Sequence, residues 1–128
     1  MGLLIDSSCL IAVERGETDL SGLPPEARAV SVVTVSELLQ GAYGPSPAKA
    51  ARGLAWLERL LAAIQPLPID EPVARVHAHL WNELKRTGSM IGAHDLWIGA
   101  TALTYDLGVA TRNQRDFERI PGLRVLAA

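Results

Sequence analysis

Short, continuous apolar runs alternate with stretches of helical periodicity along this chain, and that alternation constrains the fold more than any other feature. Leu3-Leu4-Ile5 is such a run and stops abruptly at Asp6. An uninterrupted apolar strand is buried on both faces, as the central strands of a parallel sheet are. Ser7-Ser8 then offers helix-capping hydroxyls ahead of Cys9–Val13, and the polar stretch Gly16 to Pro25 reads as a loop. Ala29-Val30-Ser31-Val32-Val33 is β-branched and reads as a second strand. Thr34-Val35-Ser36-Glu37 matches a capping box that opens a helix through Leu38 and Leu39. Gly44-Pro45-Ser46-Pro47 breaks the chain before a helix from about Ala48 to Ala63, which carries Ala50, Leu54, Leu57 and Leu61 on one face. Ile64 to Ile69 is expected as a short edge strand, because Pro66 and Pro68 exclude a central one. Asp70 and Pro72 start a helix with Val73, Val76, Leu80 and Leu84 on one side, ending near Gly88. Ala93 to Tyr105 is apolar almost all round, as a helix buried on several sides is. Gly108–Thr111 and Leu123–Leu126 are further strands, with a helical turn opened by Asn113-Gln114-Arg115-Asp116 between them. The order β-α-β-α-α-β-α-α-β-α-β, with right-handed crossovers, gives an α/β fold. Its core is an open parallel sheet of about four to five strands with helices on both faces.

Composition narrows the function. The 128 residues are expected to form one domain, 1–128. Twelve Lys and Arg against fourteen Asp and Glu give a formal net charge of −2, which excludes a basic nucleic-acid coat or a polybasic membrane binder. One cysteine, Cys9, leaves no internal disulfide and no cysteine-based zinc cluster. No apolar run approaches the roughly 20 residues that span a bilayer. The start Met1-Gly2-Leu3-Leu4-Ile5-Asp6 lacks the basic region of a signal peptide, so the expected compartment is the cytoplasm.

Ligands bind an open α/β sheet at the carboxyl ends of its strands. Four acids fall there: Asp6 at the end of the first strand, Glu37 after the second, Asp95 in the first turn of the buried helix, and Asp116 beyond the strand that ends at Thr111. Each has a plain structural reading, as an N-cap, a capping-box partner or a first-turn acid. Those readings do not explain why all four share one rim. Carboxylates packed together repel unless a cation neutralises them, and an all-oxygen cluster suits Mg2+ or Mn2+.

The segments Leu4-Ile5-Asp6-Ser7-Ser8, Ser36-Glu37-Leu38-Leu39-Gln40-Gly41, His94-Asp95-Leu96-Trp97-Ile98-Gly99-Ala100, Thr111-Arg112-Asn113-Gln114-Arg115-Asp116-Phe117 and Ile120-Pro121-Gly122-Leu123 together resemble the PIN-domain family, and within it the bacterial VapC-type toxins. The resemblance covers essentially the whole chain, in order. It implies a metal-dependent endoribonuclease using Mg2+ (or Mn2+), neutralised by a cognate VapB-type antitoxin, homodimeric, and leaving 5′-phosphate and 3′-hydroxyl ends. By position, Asp6, Glu37, Asp95 and Asp116 are its acidic quartet, with Asp6 and Asp95 the primary metal ligands. Glu37 and Asp116 act directly, through water or at a second metal. Ser8 and Thr111 match hydroxyl positions near the site, and Asn113 the position that orients the last acid. Ser7 stands where Thr is common and Gly99 where Ala is common.

Other features carry less. Arg112, Arg115 and Arg119 have the spacing of one helical face; Arg112 and Arg115 are candidate RNA phosphate contacts, against a solvated face or an ion pair to an antitoxin. His77 and His79, two apart on a helix, point to different faces and form no metal pair. His94 is expected in a loop or capping role, and Cys9 in the core. The three tryptophans read as core or interface, with Trp56, Leu57, Leu60 and Leu61 leaving an apolar strip for a partner helix. A phosphoryl-accepting receiver domain would need an acidic pair after the first strand and a Lys after the last. A haloacid-dehalogenase-type phosphatase would need an Asp at position 8, where Ser8 stands. The remaining alternative is a non-catalytic module that binds metal and RNA without turnover.

Overall fold

The computed structural model describes residues 2–43 and 46–128, so the expected break at Gly44-Pro45 lies outside the described residues. The chain runs β1 (Gly2–Ile5), α1 (Ser7–Glu14), β2 (Ala27–Ser31), α2 (Val32–Ala42), α3 (Pro47–Ala63), β3 (Pro66–Leu67), α4 (Glu71–Arg86), α5 (Ala93–Thr104), β4 (Leu107–Thr111), α6 (Gln114–Phe117) and β5 (Val125–Ala127). The strands form one five-stranded sheet in the order β3-β2-β1-β4-β5. Every pairing is parallel. The element order and the open parallel sheet are those the sequence pattern predicts.

Strand alternation divides the core in two. Leu4 and Val109 point to one face, against Val73, Leu80 and Leu84 of α4, Leu96 and Ile98 of α5, and Phe117 and Ile120. Leu3, Ile5, Val30 and Ala110 point to the other, against Cys9 and Leu10 of α1, Leu38 of α2 and Leu57 of α3. β1 is central and buried throughout, which explains its uninterrupted apolar run.

Several boundaries differ from the expected ones. The second strand ends at Ser31, and Val32 and Val33 are helical. The Ser31 hydroxyl accepts from the Val33 N–H, so α2 is capped three residues earlier than Thr34. Local β-propensity at Val32-Val33 yields to that cap. The Thr34–Glu37 capping box is not formed: Thr34 lies inside the helix with its hydroxyl buried and unpartnered. β3 shrinks to Pro66–Leu67 at the sheet edge, where the missing proline N–H costs no ladder. The last strand is shifted to Val125–Ala127. Asp70 caps α4 as expected, accepting from Val73 N–H, with proline in the first turn.

Gly99 has a packing reason. A methyl group there would sit 2.3 Å from Ile120 Cδ1, so the residue admits Ile120 against α5. Gly99→Ala is expected to cost at most about 1 kcal/mol, because Cδ1 is the movable end of the Ile120 side chain and Ala has the better helix propensity. In an Ile120→Val background, where Cδ1 is gone, the same substitution costs measurably less by urea unfolding. Equal costs in the two backgrounds would contradict this packing account.

Candidate active site

The register of the two central strands builds the site. Ile5 pairs with Ala110, and Asp6 N–H donates to the Ala110 carbonyl at 2.9 Å, which brings Asp6 beside Thr111. Asp6 sits at the N-cap of α1 yet makes no side-chain cap bond. Its Oδ2 instead accepts from Ser8 Oγ at 2.8 Å and Thr111 Oγ1 at 2.9 Å. Asp6 is only 4% exposed, so these two hydroxyls fix a buried carboxylate in one orientation. Ser8 therefore serves Asp6 rather than capping α1, and it also accepts from Arg112 N–H at 3.1 Å.

Asn113 occupies the N-cap position of α6 without capping it. Its Nδ2 donates to Asp116 Oδ2 at 3.1 Å and, more weakly, to Asp95 Oδ2 at 3.4 Å. One amide thus ties the acid of α5 to the acid of α6. Asn113 N–H donates to Thr111 Oγ1 at 2.9 Å, so the segment 111–113 links three of the four acids. The fourth, Glu37 on α2, has a buried Oε1 with no partner. Its Oε2 lies 3.7 Å from His94 Nδ1, at the start of α5.

The four predicted acids are electrostatically one group. Asp95 is pushed up to about 6, first by burial, then by the charges of Asp6, Asp116 and Glu37. Burial is the larger part of that shift, the crowding of negative charge adds to it, and His94 partly offsets it. Among the described residues, no group of three or more His, Cys, Asp or Glu is arranged to close around an ion alone. The donor set is nevertheless all-oxygen, and it includes the orphaned, buried Glu37 Oε1. It suits an ion that one or two carboxylates hold together with water and a substrate phosphate, as Mg2+ is held.

The basic residues divide. α6 spans only Gln114–Phe117, so Arg112 and Arg119 lie outside it and the three arginines share no helical face. Arg112 Nη1 donates to Glu17 at 2.7 Å, and Arg119 Nη1 to the Met90 carbonyl at 3.2 Å. Arg115 lies on α6 next to Asp116 and is exposed. Cys9 is buried, its thiol pushed up to about 11 chiefly by burial, and it donates to the Ala110 carbonyl as a core residue does. His77 stacks on Trp97 with ring centroids 3.5 Å apart, which accounts for both as packing groups of α4 and α5. A cavity of about 540 Å³ lies between α1, α2 and α3 and reaches the acids through Glu37, which lines it with Leu38, Lys49, Arg52, Trp56 and Leu57. No helix among the described residues is long and apolar enough to cross a membrane.

Sequence reasoning missed two residues that touch this site. His94 was visible beside Asp95, but its approach to Glu37 depends on how α2 and α5 pack. Glu17 lies ninety-five positions from Arg112 and carries no motif.

Residues 3–123 match the PIN domain. The chain is 35% identical to ribonuclease VapC of Rickettsia bellii, over 98% of this chain and 96% of that protein. It is also 35% identical to ribonuclease VapC5 of Mycobacterium tuberculosis, over 93% of this chain and 87% of that one. Its backbone is similar to that in the VapBC-5 toxin–antitoxin structure from M. tuberculosis, with a TM-score of 0.79 and 34% identity over 98% of this chain and 95% of that one. The DNA-bound VapBC of Salmonella typhimurium matches with a TM-score of 0.86 and 27% identity, over 99% and 98% of the two chains.

The raised Asp95 has a measurable consequence for the metal-free protein. Its charged form is disfavoured by folding, since an unfolded Asp titrates near ~3.9. The penalty is absent below about pH 4, grows as pH rises towards 6, and is complete above it. In EDTA, Asp95→Asn is expected to melt at a higher temperature than wild type at pH 7.5, with the difference vanishing near pH 4. A lower or pH-independent melting temperature for the variant would contradict the crowded-carboxylate geometry.

Proposed function

The chain belongs to the PIN-domain family, among its VapC-type members, and from that premise we propose that it is a Mg2+- or Mn2+-dependent endoribonuclease toxin held in check by a cognate VapB-type antitoxin. The single observation that supports this reading best is the acid set: a buried Asp6 locked by two hydroxyls, beside a half-buried Asp95 tied through one amide to Asp116. Asp6 and Asp95 would hold the ion, with Glu37 and Asp116 completing its surroundings. Bound there, the ion would make an attacking water more acidic and neutralise charge on the phosphodiester.

The chain's own residues supply the geometry. Ser8 and Thr111 occupy Asp6 Oδ2, so its orientation is set before any ion or substrate arrives. Asn113 holds Asp95 and Asp116 in a fixed relation. Glu37 Oε1, buried without a partner, is an acceptor for a proton or a water at the reacting centre. Water adds to phosphorus and the ribose O3′ leaves with a proton, giving a 5′-phosphate and a 3′-hydroxyl. The nucleophile is water and not the 2′-hydroxyl, so selection of RNA rests on surface shape around the rim.

Inhibition follows from the same layout. The cavity between α1, α2 and α3 has an apolar floor and the cations Arg15, Lys49 and Arg52 on its walls, and it opens onto Glu37. An antitoxin segment seated there would reach the acids, and a fixed Arg or Lys among them would compete with the metal. Of the two solved structures named above, one is a member of the VapBC family of toxin–antitoxin systems and the other is a DNA-bound VapBC.

Purified protein is expected to cleave members of a structured RNA panel with Mg2+ or Mn2+ and to stop in EDTA. Asp6→Asn and Asp95→Asn are each expected to lower kcat at least 100-fold, the scale of a lost transition-state electrostatic contact. Cleavage undiminished in both variants would sink the site, and cleavage in EDTA would sink the mechanism. Tight RNA binding with no cleavage would mark a binding module instead. Expression without an antitoxin is expected to arrest growth, and Asp6→Asn to relieve the arrest. Equal arrest by wild type and variant would remove the toxin reading.

A further inference from the structure

The Arg112–Glu17 pair joins the segment that holds the acids to the loop that follows α1. Arg112 is not free to wander: Thr111 before it holds Asp6, Asn113 after it holds Asp95 and Asp116, and its own N–H is bonded to Ser8. Glu17 is equally fixed. Glu17 N–H donates to the Ala12 carbonyl at 2.8 Å and Gly16 N–H to the Val13 carbonyl at 3.0 Å, the paired bonds of a Schellman motif that ends α1. Gly16 provides the left-handed residue this motif needs, at φ 75°. Leu20 and Leu23, both buried, plug the following loop into the core. Two backbone devices with no local relation thus bring one guanidinium and one carboxylate within 2.7 Å, on the residue that follows the Thr111 holding Asp6.

An ion pair this exposed, with side chains 47% and 48% accessible, contributes little to stability. Its chemistry suits another role. A polyanionic substrate approaching four carboxylates is repelled, and a guanidinium with N–H groups to spare offers one phosphate a charge-assisted contact. Arg has five N–H donors, and the pairing with Glu17 occupies one of them. We propose that Glu17 is a positioning residue. It holds Arg112 so that the remaining donors bind a backbone phosphate of the RNA next to the one cleaved. This rests on the ribonuclease reading and adds to it a substrate contact and the group that aims it.

Steady-state cleavage of the panel RNA cut fastest tests the inference, beside equilibrium binding of that RNA to the same variants in an Asp6→Asn background. Arg112→Gln is expected to raise KM and the dissociation constant about tenfold, with a much smaller change in kcat, as loss of a charge-assisted hydrogen bond does. It is also expected to lower the slope of log affinity against log salt by about 0.7–1. Glu17→Gln is expected to raise KM in the same sense, and the double variant to be no worse than Arg112→Gln alone, because Glu17 acts through Arg112. Exchanging the charges, Glu17→Arg with Arg112→Glu, restores an ion pair but moves the guanidinium. KM is expected to stay high. Recovery of KM in the exchange variant would show a merely structural pair and overturn the proposal, as would a lower KM for Glu17→Gln. Cleavage by wild type with KM and salt slope unchanged in Arg112→Gln overturns this inference alone. A wild type that neither cleaves nor binds RNA overturns the ribonuclease reading and this inference with it.

Discussion

Mutual repulsion among carboxylates at the carboxyl end of the sheet is the constraint on which the rest of the structure depends. Asp6 is buried at the end of the central strand, and Asp95 carries the cost of its burial and of its charged neighbours as a raised proton affinity. Folding tolerates this arrangement because uncharged donors surround it. Two hydroxyls hold Asp6, and one amide spans Asp95 and Asp116. None of these donors neutralises the charge, so the site remains an attractor for a cation.

The fold supplies this arrangement from distant parts of the chain. β1 and β4 pair so that Asp6 and Thr111 become neighbours, although 105 positions separate them. α5 is largely buried, with Gly99 close against Ile120, and its first turn carries Asp95. Parallel strands require every crossover helix to pack on a face, and the two half-cores do this on opposite sides. Apolar packing below the rim therefore determines where the polar groups above it stand.

Much of this was legible in the sequence. The apolar run of β1, the all-round apolar α5 and the Asp70 cap follow from local periodicity and turn chemistry, and the structure has them where the pattern places them. Asp6, Asp95 and Asp116 were legible as residues at a strand end and at helix starts, whereas Glu37, expected in a first turn, stands in the middle of α2 because the helix begins at Val32. What escaped was set by tertiary competition. Ser31 captured the helix N-terminus from Thr34, because the chain leaves the sheet at Ser31 and not at Val33. The shortness of α6 dissolved the apparent arginine face, since a spacing of three or four residues means a common face only while the helix lasts. Glu17 and His94 were invisible as partners because their contacts run between elements and not along one. The plain readings of Asp6 and Asn113 as caps failed for an informative reason: both sit at cap positions, and both spend their side chains on the site instead.

The central claim is that this set of carboxylates binds a divalent ion, and calorimetric titration of Mn2+ into the purified protein at pH 6.5 tests it most directly. Repeating the titration in buffers of different ionisation enthalpy counts the protons released, since Asp95 must lose its proton to become a ligand. The expected result is saturable binding with net proton release in wild type, with the release lost in Asp95→Asn and affinity lost in Asp6→Asn. Absence of binding in wild type, or binding that neither substitution alters, would contradict the account.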